Sequence, residues 1–172
     1  MNELLLEAFR HNAWATKQLL AACAGLSHEQ LTFPGTATGT DRGILALFNH
    51  IIQSDRGYAA RRGDRPAWVD NEEDTDHLGE LERRADENAE VWERVLSEPI
   101  EATKLIILDR GRYEAEASVL LVQALHHGNV HREQISSILT GIGVEEPPDI
   151  QAWAYAEATG HARERDPGAE GD

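Results

Sequence analysis

Cysteine is almost missing: Cys23 is the only one in 172 residues. One thiol makes neither an internal disulfide nor a multi-cysteine zinc site. It sits in the helix-prone stretch Leu19-Leu20-Ala21-Ala22-Cys23, where a small core residue is expected. Positive charge is also scarce. Sixteen Lys and Arg face 31 Asp and Glu, for a formal net charge of −15. Nucleic acids and anionic membrane surfaces reward a basic face, so neither is expected as a main partner. The acidity reads as a solubility feature. No apolar run approaches the ~20 residues that a membrane-spanning helix needs. The opening Met1-Asn2-Glu3-Leu4 is not the basic start of a signal peptide. These absences point to a cytoplasmic protein.

What remains is a globular composition, 41% hydrophobic and 27% charged, long enough for one domain with a real core. The expected domain spans residues 1–162. The polar tail from 163 to 172 contains Pro and Gly and reads as disordered. Leu5, Ala8, Asn12, Ala15, Leu19 and Ala22 recur at helical spacing, which predicts a helix from about 2 to 25. A short turn or helical piece follows at 26–31. Then comes a Pro- and Gly-containing loop whose threonines can cap the next helix. That second long helix runs from about 41 to 62 and stops at Gly63-Asp64-Arg65-Pro66. An acidic connection at 70–75 leads to a third long helix carrying Leu78, Leu81, Ala85, Ala89, Trp92 and Leu96, ended by Pro99. Leu105-Ile106-Ile107-Leu108, the turn signal Asp109-Arg110-Gly111 and Arg112–Glu116 predict a β-hairpin. The fourth long helix runs from about 118 to 141, and a short helix is expected near 149–159. Four long amphipathic helices suggest an all-α, antiparallel four-helix bundle with a small hairpin insert before the fourth helix.

The fourth helix carries Leu120, Ala124, His127, His131, Ile135 and Ile138 on one stripe. His127 and His131 are four residues apart, so they lie about 40° apart around the axis and about 6 Å along it. Two imidazoles so placed can grip one metal ion. Burying them on a core stripe is costly unless their ring nitrogens have partners. A third imidazole, His50, sits in the apolar run Leu47-Phe48-Asn49-His50-Ile51-Ile52. Three histidines from facing helices would make an open three-nitrogen site. The competing reading is a plain helical bundle whose histidines are hydrogen-bonded core residues. Other metal templates fit badly. A zincin needs Glu where Gly128 stands, and the Glu-x-x-His pairs of di-iron carboxylate bundles are not found. His126 is five residues from His131, about 140° away around the helix, and cannot join the grip. His11 lies near the inner stripe of the first helix as a candidate second layer around the metal. His28, His77 and His161 fall near helix ends or in the tail.

Three segments together resemble the DinB superfamily, the YfiT-like metalloenzymes. They are Asn12-Ala13-Trp14, then His50 with Asp55 and Tyr58, then His127-Gly128-Asn129-Val130-His131-Arg132-Glu133-Gln134. The resemblance spans roughly residues 3 to 155. It implies a four-helix bundle of up-down-down-up topology. It also implies a divalent metal, zinc or nickel, held by His50, His127 and His131. A homodimer is implied as well. Relatives of this kind include thiol-dependent S-transferases and maleylpyruvate isomerases.

An open three-imidazole site supports two chemistries. It can lower the pKa of bound water and drive hydrolysis, or deprotonate a bound thiol for transfer to an electrophile. The expected function is a thiol-dependent S-transferase or related detoxifying enzyme acting with a low-molecular-weight thiol. A metal-dependent hydrolase and a non-catalytic metal-binding stress protein are the alternatives. Asp55 and Gln134 are the candidate helpers behind the ligands, with Asn129 and Arg132 beside them. Trp14, Tyr58, Trp68, Trp92 and Trp153 are expected as core or pocket-wall aromatics.

Overall fold

The computed structural model describes residues 3–35, 39–61, 73–108 and 111–163. The first helix, α1 (Glu3–Ala22), buries Leu6, Phe9, Asn12, Ala15, Thr16, Leu19 and Leu20. That spacing of three and four is the periodicity seen in the sequence. Cys23 follows the last helical residue and is fully buried; burial pushes its thiol up to about 12. The short piece α2 (His28–Thr32) starts with a reciprocal cap. The Ser27 hydroxyl accepts from Gln30 N, and the Gln30 side chain accepts from Ser27 N. Two orphan amides at the helix start are thereby satisfied.

Helix α3 (Ile44–Ala60) is shorter at its start than the expected 41–62, and its N-cap is Gly43, without a side-chain cap. Thr40 instead accepts from Arg42 N in the loop. Gly43 precedes the helix for a steric reason. A Cβ there would lie 2.7 Å from the Thr32 carbonyl carbon and 2.8 Å from its oxygen. The missing side chain lets the start of α3 press on the end of α2.

Helix α4 (Leu78–Ser97) buries Leu81, Ala85, Asn88, Val91, Trp92, Val95 and Leu96. Its Arg84 is buried, with the guanidinium donating to Glu80 and to the Glu73 carbonyl. Strands β1 (Leu105–Leu108) and β2 (Tyr113–Glu116) pair antiparallel, Leu105 opposite Glu116 and Leu108 opposite Tyr113. Helix α5 (Ala117–Gly141) and the short α6 (Ala152–Ala158) complete the described elements. Helix α1 packs on α4 and α5, and α3 packs on the same two helices. The result is a mostly helical structure with one small sheet, compatible with an all-α fold.

The core has two main parts. One gathers Leu19, Leu47, Phe48, Leu81, Ile135 and Leu139. The other gathers Leu6, Phe9, Trp92, Leu96, Leu121 and Ala124. Two sequence expectations change. Trp153 is 76% exposed, so it is neither core nor pocket wall. The last helix is also shorter than expected, because Asp149 caps the turn before it by accepting from Gln151 N. Trp68, the stop signal at 63–66, the start of the acidic connection at 70–72, the turn residues Asp109 and Arg110, and positions 164–172 of the tail lie outside the described residues. No described helix is long and apolar enough to cross a membrane.

The Gly43 contact is testable. Gly43→Ala puts a methyl group against backbone that cannot rotate away. It should cost about 1–3 kcal/mol, the usual range for overpacking. Urea unfolding monitored by circular dichroism would read this as a lower midpoint with little change in slope.

Candidate metal centre

Helix α3 supplies His50 and helix α5 supplies His127 and His131. One ring nitrogen from each lies within 4.8 Å of the other two. The ring centroids are 4.8 Å apart for His50–His127, 4.7 Å for His50–His131 and 4.5 Å for His127–His131. All three rings are half-buried. His50 Nε2 and His127 Nε2 face each other at 3.0 Å. His131 Nδ1 lies 2.7 Å from the Gln134 carbonyl oxygen. An amide oxygen only accepts, so Nδ1 of His131 is the nitrogen that donates to it, and in the neutral ring Nε2 is left as the one that can ligate.

This donor set fits a divalent ion. Imidazole nitrogens bind zinc at about 2.0–2.1 Å, which places tetrahedral ligands about 3.3 Å apart. The observed spacing brackets that figure. Charge state fits as well, because a ligating imidazole must be neutral. Burial first, then the nearby His131, His50 and Arg42 charges, hold His127 down at about 4. Burial, Arg42 and His131 also lower His50. The three histidines could therefore hold a metal ion. Among the described residues, no other group of His, Cys, Asp or Glu has this spacing.

The remaining candidates divide. Gln134 reaches the site, through His131. Asp55 is partly buried and accepts a 2.9 Å hydrogen bond from Trp92 Nε1 on α4. Burial pushes its carboxyl up to about 6, against the opposing pull of Trp92, the Arg132 charge and the Asn88 amide. Asn129 accepts from Arg132. His11 is away from the cluster, with Nε2 on the Ile150 carbonyl and its ring beside Trp14 and Tyr155. His126 is exposed.

Arg132 is 1% exposed and ties α5 to α1. Its guanidinium donates to the Asn12 carbonyl at 3.2 Å, Asn12 Oδ1 at 2.8 Å and Thr16 Oγ1 at 3.1 Å. Asn129 Oδ1 completes the set at 2.5 Å. Gly128 makes this possible, since a Cβ there would lie 2.8 Å from Asn12 Oδ1 and 2.9 Å from the guanidinium. Burial lowers Arg132 to about 10, with Asp55 and Glu133 opposing, so it stays charged at neutral pH.

Asn88 was not singled out from the sequence. It is buried on α4, donating to the Ile52 carbonyl at 2.9 Å. Asn12, already on the inner stripe in the sequence, and Asn88 both occupy buried positions. An amide falling in step with the apolar residues of α4 is the signal that could have flagged Asn88.

Residues 1–166 match a family model described as DinB family. No curated protein and no solved structure matches the chain.

Two predictions follow from the buried charges. Arg132→Met leaves Asn12, Thr16 and Asp55 without their cation. It should cost about 3–5 kcal/mol, as expected for breaking a buried charged network, measured by urea unfolding. The second concerns pH. Asp55 binds its proton more tightly folded than unfolded, so its contribution to stability is present below pH 3.8 and lost as pH rises through about 6. His127 does the opposite, its contribution being full above pH 6.5 and lost as pH falls through about 4. The two slopes oppose each other. In chelator, Asp55→Asn should therefore steepen the rise of stability between pH 4 and 6, by up to about 1.4 kcal/mol per pH unit. Melting temperature against pH reads the difference.

Proposed function

Because the chain belongs to the DinB family, we propose that it is a metal-dependent enzyme that activates a low-molecular-weight thiol for transfer to an electrophile. The observation that carries this reading is the meeting of His50, His127 and His131 from two helices. In this reading the three rings hold one divalent ion, zinc or nickel, and Gln134 orients His131. Asp55 stands behind the ligands. Three imidazoles suit either ion, and availability decides between them. The bound ion would supply Lewis acidity, which lowers the pKa of a thiol or water in its open position.

The chain itself offers room for a substrate beside His50. An open cleft of about 300 Å³ is lined by His50, Gln53, Ser54, Arg56, Tyr58 and Arg61, among others. A pocket of that size accommodates a small molecule. We further propose the up-down-down-up four-helix arrangement, a homodimer and a cytoplasmic location, as the family likeness implies. The packing of α1 and α3 each against both α4 and α5 supports the arrangement, and the acidic surface suits an aqueous compartment.

Elemental analysis of the purified protein should give one divalent ion per chain. His127→Ala or His131→Ala should lose it while keeping the helical circular dichroism signal. Turnover of an electrophile such as an aryl halide should require added thiol. Ester turnover without thiol would identify a hydrolase instead. Bound metal with no turnover of either kind would support the non-catalytic alternative. A metal-free protein would overturn all three.

A further inference from the structure

A narrow cavity of about 20 Å³, with His127 in its wall, lies between α1, α3, α4 and α5. Its wall is largely apolar, but Asn12, Thr16, Asp55, Asn88 and His127 also line it. One of these has an unmet demand. Asn88 is 2% exposed, and its Oδ1 has no hydrogen-bond partner among the described residues. Its amide nitrogen donates to the Ile52 carbonyl, which fixes which end of the side chain is the acceptor. An unpaired buried acceptor costs about 1–3 kcal/mol. A cavity above about 10–15 Å³ with two or more polar partners is what a buried water needs.

We propose that a single buried water occupies this cavity and links Asn88 and Asp55 to the Nδ1 of His127. The hydrogen-bond count closes. The water donates one hydrogen to Asn88 Oδ1 and one to the Asp55 carboxylate. It then accepts from His127 Nδ1–H. His127 turns its Nε2 toward His50, so Nδ1 is its remaining nitrogen. Trp92 and the Asn88 amide take up part of the Asp55 carboxylate, and a carboxylate offers about four acceptor sites, so room for a water remains.

This gives Asp55 and Asn88 positioning roles for the metal site and rests on the metal reading above. A ligating imidazole holds its orientation and basicity through the partner of its other nitrogen. His131 has Gln134 in that position. The water gives His127 an equivalent.

The test combines density, zinc affinity and a spectroscopic signature. A high-resolution crystal structure of the chelated protein should show one water touching Asn88, Asp55 and His127. A cavity without density overturns the proposal, whatever the metal result. Ala85→Val narrows the cavity without removing a polar group. It should expel the water and weaken zinc binding about 10- to 100-fold, the usual effect of losing a ligand's partner. Unchanged affinity with the water gone would overturn the link to His127. Asp55→Asn keeps the shape and should also weaken zinc. In the zinc-loaded protein the His127 Nδ1–H should give a protected NMR signal that shifts in Asp55→Asn, and a signal that exchanges freely in the wild type would count against the link. Should the wild type bind no zinc, the metal reading fails, while the density still decides the water. Should Ala85→Val not fold, the wild-type density and the Asp55→Asn signal decide it.

Discussion

The buried guanidinium of Arg132 is the constraint around which the middle of this protein is arranged. Along each of the four long helices, apolar core residues give way to polar ones at the same level. On α1 the change comes at Asn12 and Thr16, between Phe9 and Leu19. On α3 it comes at Asp55, between Ile52 and Ala59. On α4 it comes at Asn88, between Ala85 and Val91. On α5 it comes from His127 to Arg132, between Ala124 and Ile135. A polar layer thus separates the two main parts of the core. A buried charge costs several kcal/mol unless it is fully hydrogen-bonded. Arg132 meets this with Asn12, Thr16 and Asn129 as acceptors and with Asp55 as the nearby opposite charge.

That arrangement bears directly on the histidines. Arg132 follows His131 in sequence, and Gly128 follows His127. Fixing the guanidinium on α1 fixes the rotation of α5 about its own axis. It therefore fixes the direction in which the two imidazoles leave the helix. Gly128 lets α1 come close enough for the contact. The site is thus held from the side opposite to its ligands. Asn12 on α1 touches none of the three rings, yet it sets where two of them point.

How much of this was legible in the sequence depends on the range of the interaction. The helices and the hairpin follow from local periodicity and turn residues, and they appear close to where the pattern puts them. The His127/His131 pair was also local, since helical geometry alone places them on one face. His50 was different. Its position in an apolar run said only that it needed a partner, and the partner lay 77 residues away. Asp55 shows helical phase deciding against a direct place beside His50. Five residues after His50 it points about 140° away, so its direct bond goes to Trp92. The start of α3 was missed because the sequence offers threonines as caps, whereas the deciding factor was backbone contact at Gly43. Asn88 was missed because a polar residue on a helix usually faces solvent, and only packing turned it inward.

The three imidazoles are not equally prepared. His131 turns Nδ1 toward the Gln134 oxygen, which in the neutral ring leaves the lone pair on Nε2. His50 and His127 approach Nε2 to Nε2 at 3.0 Å, a distance two lone pairs would not tolerate. One of the two rings must place its proton between them. A metal ion needs both lone pairs at once, so the proton must move to the other nitrogen of the ring that held it. Both rings are kept neutral by burial and by nearby positive charge, which makes this a shift of tautomer and not a loss of charge. Whatever stands behind each ring then governs how readily the site accepts an ion. Beside His127 that is the cavity lined by Asp55 and Asn88. The readiness of the centre is in this sense decided in the polar layer, one step removed from the ligands themselves.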